Sequence, residues 1–137
     1  IMGMGRSGVA GDVMKVLSNE ITDKNVIVHK DYSIPKQFLK FRPLCLFISY
    51  SGNTEETLSG ISDAKKNNLD WIVISTGGKL IAIAHNESKE YIKIPSGLQP
   101  RAAFGYLTLA ISRILDIVEG SDYVSQLNEA SSYLEKL

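Results

Sequence analysis

The sequence predicts an α/β domain in three layers, with a five-stranded parallel sheet between helices. Three observations carry this. Short apolar runs at 1–4, 25–29, 44–50, 71–75 and 91–94 alternate with longer amphipathic segments, the pattern of repeated strand–helix units. The runs Leu44-Cys45-Leu46-Phe47-Ile48 and Trp71-Ile72-Val73-Ile74 are apolar at every position, as strands covered on both faces are. Glycines and hydroxyl side chains gather where these runs end, the place of strand-to-helix turns.

The elements follow in order. Residues 1–4 read as a strand entering a glycine turn, and the chain is expected to be a fragment trimmed before this point. A helix starts at Ser7 or Gly8, with Val9, Val13, Val16 and Leu17 expected toward the sheet. The segment 30–42 is polar and reads as a loop holding a short helical turn. The helix after the third run has Asn53 and Thr54 at its start, Glu55 and Glu56 in its first turn, and an inner stripe of Leu58, Ile61 and Ala64. Carboxylates there suit the helix dipole. A short helix follows Gly78 through Leu80, Ile81 and Ala84. The longest begins at Pro100, buries Ala103, Leu107, Ala110, Ile111, Ile114 and Val118 at three- and four-residue steps, and stops at Gly120. Residues 1–120 are expected to be one domain. Residues 121–137 form a weaker amphipathic helix or the start of a linker.

Composition narrows the function. The chain has 137 residues, 44% of them hydrophobic, and fifteen basic side chains balance fifteen acidic ones. A zero net charge offers no global attraction to nucleic acid or to an anionic membrane. No apolar run approaches the roughly 20 residues that span a bilayer. The single cysteine, Cys45, lies within an apolar run and reads as a small buried hydrophobe, which points to a reducing, cytoplasmic compartment. His29 and His85 are the only histidines. No cluster has metal-ligand spacing, and no nucleophile-elbow context supports a hydrolase triad.

The chemistry concentrates in four loops at strand carboxyl ends, where open parallel sheets bind ligands. They are Gly3-Met4-Gly5-Arg6-Ser7-Gly8, Ser49-Tyr50-Ser51-Gly52-Asn53-Thr54, Ser75-Thr76-Gly77-Gly78, and Pro95-Ser96-Gly97-Leu98-Gln99-Pro100-Arg101. The second is the most informative. Ser49, Ser51 and Thr54 can converge on one oxyanion, and the helix that follows adds free N–H groups. The plainer alternative is a capped helix start, with Asn53 as cap and Glu56 closing a capping box, but the density of hydroxyls exceeds what capping requires. Gly3, Gly5 and Gly8 spell a dinucleotide fingerprint, with Asp31 where a ribose-binding acid would be sought. That signal is weak alone, and Asp31 also reads as an ordinary loop carboxylate. Arg101 places a cation at a helix N-terminus, a locally unfavourable position that a bound anion would relieve. Otherwise it is a surface arginine.

These loops together resemble a SIS domain, the sugar isomerase fold that binds phosphosugars. More narrowly, the chain resembles the amino-terminal half of the bifunctional phosphoglucose/phosphomannose isomerases. The serine-rich turn marks SIS domains generally. The stretch Ser96-Gly97-Leu98-Gln99-Pro100-Arg101-Ala102 is more specific to the isomerases. The resemblance implies a flavodoxin-like sheet and a hexose 6-phosphate ligand held by Ser49, Ser51 and Thr54. Gly5, Arg6 and Ser7 would contact it from the first loop, and Arg101 would stabilise an enediolate-like intermediate. It implies interconversion of glucose 6-phosphate or mannose 6-phosphate with fructose 6-phosphate, without metal or nicotinamide. A non-catalytic phosphosugar-sensing SIS module is the alternative. It also implies that two SIS domains pack together, so that this chain would form a homodimer.

Two departures from the family pattern stand out. Arg6 occupies a position where a second glycine is usual. A positive φ there would cost a non-glycine roughly 1 kcal/mol. Arg6 either adds charge beside the phosphate or crowds the sugar. The base glutamate, the ring-opening histidine and a late lysine of the resembled enzymes belong to a second SIS domain. Neither His29 nor His85 matches that histidine.

Overall fold

The computed structural model of the chain describes residues 1–137, the side chain of Pro100 excepted. Strands β1 (Met2–Gly3), β2 (Cys45–Ser49), β3 (Trp71–Ser75) and β4 (Tyr91–Lys93) form one parallel sheet in the order β1-β2-β3-β4. The helices are α1 (Gly5–Ile21), α2 (Lys36–Leu39), α3 (Glu55–Lys66), α4 (Gly78–Asn86), α5 (Pro100–Glu119) and α6 (Tyr123–Leu134). The expected helical turn in the 30–42 loop is α2.

The described sheet has four strands, not the five expected. Residues 25–29 run beside β1 but form a single parallel bridge, Met2 with His29. The His29 amide donates to the Ile1 carbonyl at 2.8 Å, and the Gly3 amide donates to the His29 carbonyl at 3.3 Å. Because β1 is only two residues long, it offers no ladder along which that pairing could extend. With this segment included, the spatial order is 25–29, β1, β2, β3, β4. The winding therefore reverses at β1, and the crevice lies beyond the carboxyl ends of β1 and β2.

The apolar runs are explained by their two faces. Leu46 and Ile48 join Ala10 and Met14 of α1 and Leu107 and Ile111 of α5 on one side of the sheet. Cys45 and Phe47 join Ile61 of α3 and Leu80 of α4 on the other. Side chains alternate along a strand, so β2 must be apolar throughout. Leu107 and Ile111 are essentially fully buried, each worth about 2 kcal/mol of burial. Burial pushes the Cys45 thiol pKa up, consistent with an inert core residue. No described helix is long and apolar enough to cross a membrane.

Helix α1 is turned opposite to expectation. Its buried residues are Ser7, Gly8, Ala10, Gly11, Met14 and Ser18, while Val9, Val13 and Val16 are 46%, 37% and 63% exposed. Close approach is the cause. A Cβ on Gly8 would lie 2.7 Å from the Gly3 carbonyl oxygen, and one on Gly11 would lie 2.9 Å from Ile1 Cγ2. Only the small face of the helix fits against the sheet, and the valines are left outward. The α5 stripe is as expected except at its end, where Val118 is exposed and Leu115 is buried instead.

Helix α6 is anchored at its start by Asp116 of α5. The Asp116 carboxylate accepts the Tyr123 amide at 2.7 Å, the Val124 amide at 3.0 Å and the Ser121 hydroxyl at 2.9 Å. Desolvation alone would raise the Asp116 pKa. The hydrogen bonds from Val124, Tyr123 and Ser121, together with Arg113, outweigh it and hold the carboxyl below its usual value. Of the α6 side chains only Tyr123 is buried.

Candidate functional site

The turn after β2 gathers three hydroxyls in one place. The Ser49 hydroxyl oxygen lies 2.6 Å from Thr54 Oγ1 and 3.4 Å from Ser51 Oγ. The Gly52 amide donates to Ser49 Oγ at 3.1 Å, and the Asn53 amide donates to Ser51 Oγ at 3.2 Å. The Ser49 and Ser51 oxygens accept from the backbone, and one proton is shared between Ser49 and Thr54, so the remaining hydroxyl protons of the cluster are the groups left to offer a ligand.

The capped-helix alternative does not describe this turn. Thr54, not Asn53, is the N-cap of α3, and it makes no side-chain capping bond. The amides of Thr54, Glu55, Glu56 and Thr57 have no partner among the described residues. Four uncapped N–H groups at the positive end of a helix dipole lie beside three hydroxyls, a set of donors with the chemistry to hold an anion.

Asn53 has a different task. Its Oδ1 accepts the Lys79 amide at 3.1 Å, and its Nδ2 donates to the Ser51 carbonyl at 3.3 Å. The Leu80 amide donates to the Gly52 carbonyl at 2.9 Å, and the Thr76 hydroxyl donates to the Tyr50 carbonyl at 2.7 Å. The turn after β2 is thereby bolted to the turn after β3. Gly52 and Gly78, at φ 73° and 66°, allow the two backbones to meet. The 75–78 loop, read from sequence as a ligand loop, thus braces the cradle and does not line it.

The cradle opens into a shallow cleft of about 400 Å³ lined by Met4, Gly5, Arg6, Ser7, Ser49, Tyr50, Ser51, Thr54, Ala103 and Leu107. The six residues expected to bind ligand from the first two loops therefore share one cleft. Gly5 takes the positive φ, at 53°, and Arg6 is not among the positive-φ residues. The departure from glycine at Arg6 therefore strains nothing. Arg6 is exposed and forms no ion pair among the described residues. Arg101 is exposed in the first turn of α5 and does not line the cleft. From α5 the cleft receives Ala103 and Leu107, which the sequence reading assigned to the core alone. Their periodicity marked an inward face but not that its first turns reach beyond the sheet edge.

The remaining candidates lie elsewhere. Asp31 is exposed, and its carboxylate accepts the neighbouring Tyr32 amide at 2.7 Å, as a loop carboxylate does. His29 Nε2 lies 3.3 Å from the Tyr32 carbonyl, and His85 is in the last turn of α4. Neither lines the cleft. A larger cavity, of about 540 Å³, has Val26, Phe38, Phe41, Leu44, Leu115 and Val118 among its walls. It is mostly apolar and contains none of the clustered hydroxyls, so the smaller cleft is the better anion site.

The chain is similar in sequence to known proteins. The family model for the SIS domain matches residues 1–100. A bifunctional phosphoglucose/phosphomannose isomerase from Caldicellulosiruptor bescii is 39% identical over the whole chain, and one from Thermoplasma acidophilum is 38% identical over the whole chain. A D-glucosamine-6-phosphate 4-epimerase from Sulfolobus acidocaldarius is 34% identical over 88% of the chain. The alignments cover 40%, 44% and 38% of the lengths of these relatives, respectively. The match runs through both glycine-bearing turns and the uncapped start of α3, and the chain belongs to the SIS domain family.

Proposed function

We propose that this chain binds a hexose 6-phosphate, with Ser49, Ser51, Thr54 and the start of α3 around the phosphate. The observation that carries this is the uncapped α3 N-terminus beside three converging hydroxyls. Gly5, Arg6 and Ser7 face the same cleft from α1 and add contacts to the phosphate or the sugar. Residues 1–120 form the phosphosugar-binding unit, and residues 121–137 lead away from it.

In the isomerase reading, the reaction moves a proton between C1 and C2, joining glucose 6-phosphate or mannose 6-phosphate to fructose 6-phosphate. Arg101 stabilises the charge of the enediolate-like intermediate. The general base comes from outside this chain, because no carboxylate or histidine lines the described cleft. Neither a metal nor a nicotinamide is required for proton transfer of this kind. The setting is cytoplasmic.

Calorimetry with fructose 6-phosphate tests the proposal. Binding is expected, with Ser51→Ala weakening it about tenfold, as for one lost hydrogen bond to a charged group. NAD should produce no thermal shift, and a coupled assay on this chain alone should show no isomerisation. A Ser51→Ala variant binding as well as the unaltered chain, or turnover at enzymatic rates, would overturn it. Glucosamine 6-phosphate belongs in the same titration, given the epimerase relative.

We also propose that a second copy of the chain packs on the α1 and α5 surface. Val9 and Val16 of α1 and Tyr106, Leu109 and Ile117 of α5 are 42–73% exposed, and these helices are neighbours on one side of the sheet. Sedimentation equilibrium should show a dimer that Val16→Glu with Ile117→Glu converts to a monomer of unchanged melting temperature. A monomer at high micromolar concentration without these changes would refute the contact.

A further inference from the structure

Tyr50 lies between two of the cradle serines and lines the cleft, but its hydroxyl reaches away to the 95–99 loop. Its hydroxyl donates to the Leu98 carbonyl at 3.1 Å and accepts the Leu98 amide at 2.9 Å. One phenol oxygen thus satisfies both backbone groups of a residue 48 positions away. The Tyr50 ring is partly buried and packs against the core cluster shared by α1, β2 and α5. Leu98 lies in the 95–99 loop between β4 and α5, two residues before Pro100 opens the helix. In that loop Gly97 takes φ 77°.

The reciprocal pair is unusual for a side chain that needs only to cover a core. A phenylalanine would fill the same volume, and a surface tyrosine would take water. A two-bond contact to a single peptide residue fixes the height and the orientation of the loop at once. The loop and the first turn of α5 carry Gln99 and Arg101, so their placement relative to the cradle is set through Tyr50. Meanwhile the Tyr50 main chain is held by Thr76, whose amide and hydroxyl both donate to its carbonyl, at 3.3 and 2.7 Å. The anchor is therefore fixed to the same braced turn that presents Ser49 and Ser51.

The geometry points to Tyr50 as a positioning residue that couples the phosphate cradle to the loop bearing Arg101. Tyr50 does not contact the phosphate through its hydroxyl. It holds the part of the site that meets the far, reacting end of the sugar. The inference rests on the phosphosugar reading above, and its test separates the two.

The test is Tyr50→Phe in the full chain, which keeps the ring and removes the clamp. Hydrogen exchange at the Leu98 amide, which donates directly to the phenol, should accelerate at least tenfold. Exchange at the Leu80 amide, which donates to Gly52, should stay unchanged. Two probes then divide the site. Inorganic phosphate engages the cradle alone. The aldonate 6-phosphogluconate also places a carboxylate where charge develops at C1. Tyr50→Phe should weaken 6-phosphogluconate about five- to tenfold and leave inorganic phosphate within twofold. In the background of Arg101→Ala, Tyr50→Phe should cost nothing further.

Equal losses on both probes would make Tyr50 a purely structural residue and overturn the inference, as would unchanged exchange at Leu98 or additive losses with Arg101→Ala. If neither probe binds the unaltered chain, the phosphosugar reading fails and so does the coupling. The exchange measurement alone would then show whether the clamp exists.

Discussion

Gly52→Ala is expected to destabilise the chain by on the order of 3 kcal/mol and to abolish phosphate binding. Gly52 has φ 73°, and a Cβ built there would stand 1.9 Å from the Gly77 carbonyl oxygen and 2.8 Å from Ser75 Oγ. The positive φ alone costs an alanine about 1–2 kcal/mol, and overpacking against rigid backbone adds about 1–3 kcal/mol. Neither neighbour can yield cheaply, because Gly77 opens a helix and Ser75 ends a fully buried stretch of β3. Relief requires the two turns to part. That would break the Leu80–Gly52 and Lys79–Asn53 bonds and swing Ser51 off the cradle. Gly77→Ala is the control. It has an extended φ of 164°, and a Cβ there meets nothing within 4 Å, so stability should change by no more than about 0.5 kcal/mol. Urea unfolding and phosphate titration of both variants decide the matter. A Gly52→Ala chain as stable and as competent as the unaltered one would refute the bolt between the turns.

Arg101→Ala carries the second large effect. Under the isomerase reading proposed above, and assayed together with a second SIS domain that supplies the base, it should lower kcat by about 10²–10³, the typical loss when one donor to a developing oxyanion is removed. The affinity for fructose 6-phosphate should stay within about threefold. The structural reason is separation: the cleft is built from the first two loops with Ala103 and Leu107, while Arg101 stands outside that lining. Ground-state binding therefore does not depend on it. A phosphosugar-sensing module makes the opposite forecast, a collapse of binding with no turnover to lose. Measuring Kd and kcat on the same variant distinguishes them.

The α1 helix shows where reading a sequence falls short. Its valines recur at helical spacing and look like a core stripe, yet the glycines between them decide the orientation. At Gly8 and Gly11 the face that meets β1 and the 25–29 segment has no room even for a Cβ, so only glycine fits there. A periodicity count weighs hydrophobicity and is blind to how near two backbones come. The fifth strand failed for a related reason. Residues 25–29 have strand composition, but a ladder needs a partner of matching length, and β1 has only two residues.

The cradle itself was legible residue by residue. The convergence of Ser49, Ser51 and Thr54 could be expected because hydroxyls and glycine at a strand-to-helix turn offer donors at short range. The order of layers was legible too, since β2 and β3 are apolar at successive positions and successive side chains of a strand face opposite ways. Tertiary structure decided which donors remain free. Asn53 could have capped α3, but the neighbouring turn after β3 claims its side chain, so the helix N-terminus stays open. It likewise decided that Arg6 sits without strain, because Gly5 absorbs the left-handed φ. It also sent the Tyr50 hydroxyl to Leu98, a contact no local pattern encodes. Donor chemistry is a property of residue type and can be read along the chain. Whether a donor is engaged or available depends on what lies across space, and only the folded arrangement of the β2, β3 and β4 loops settles it.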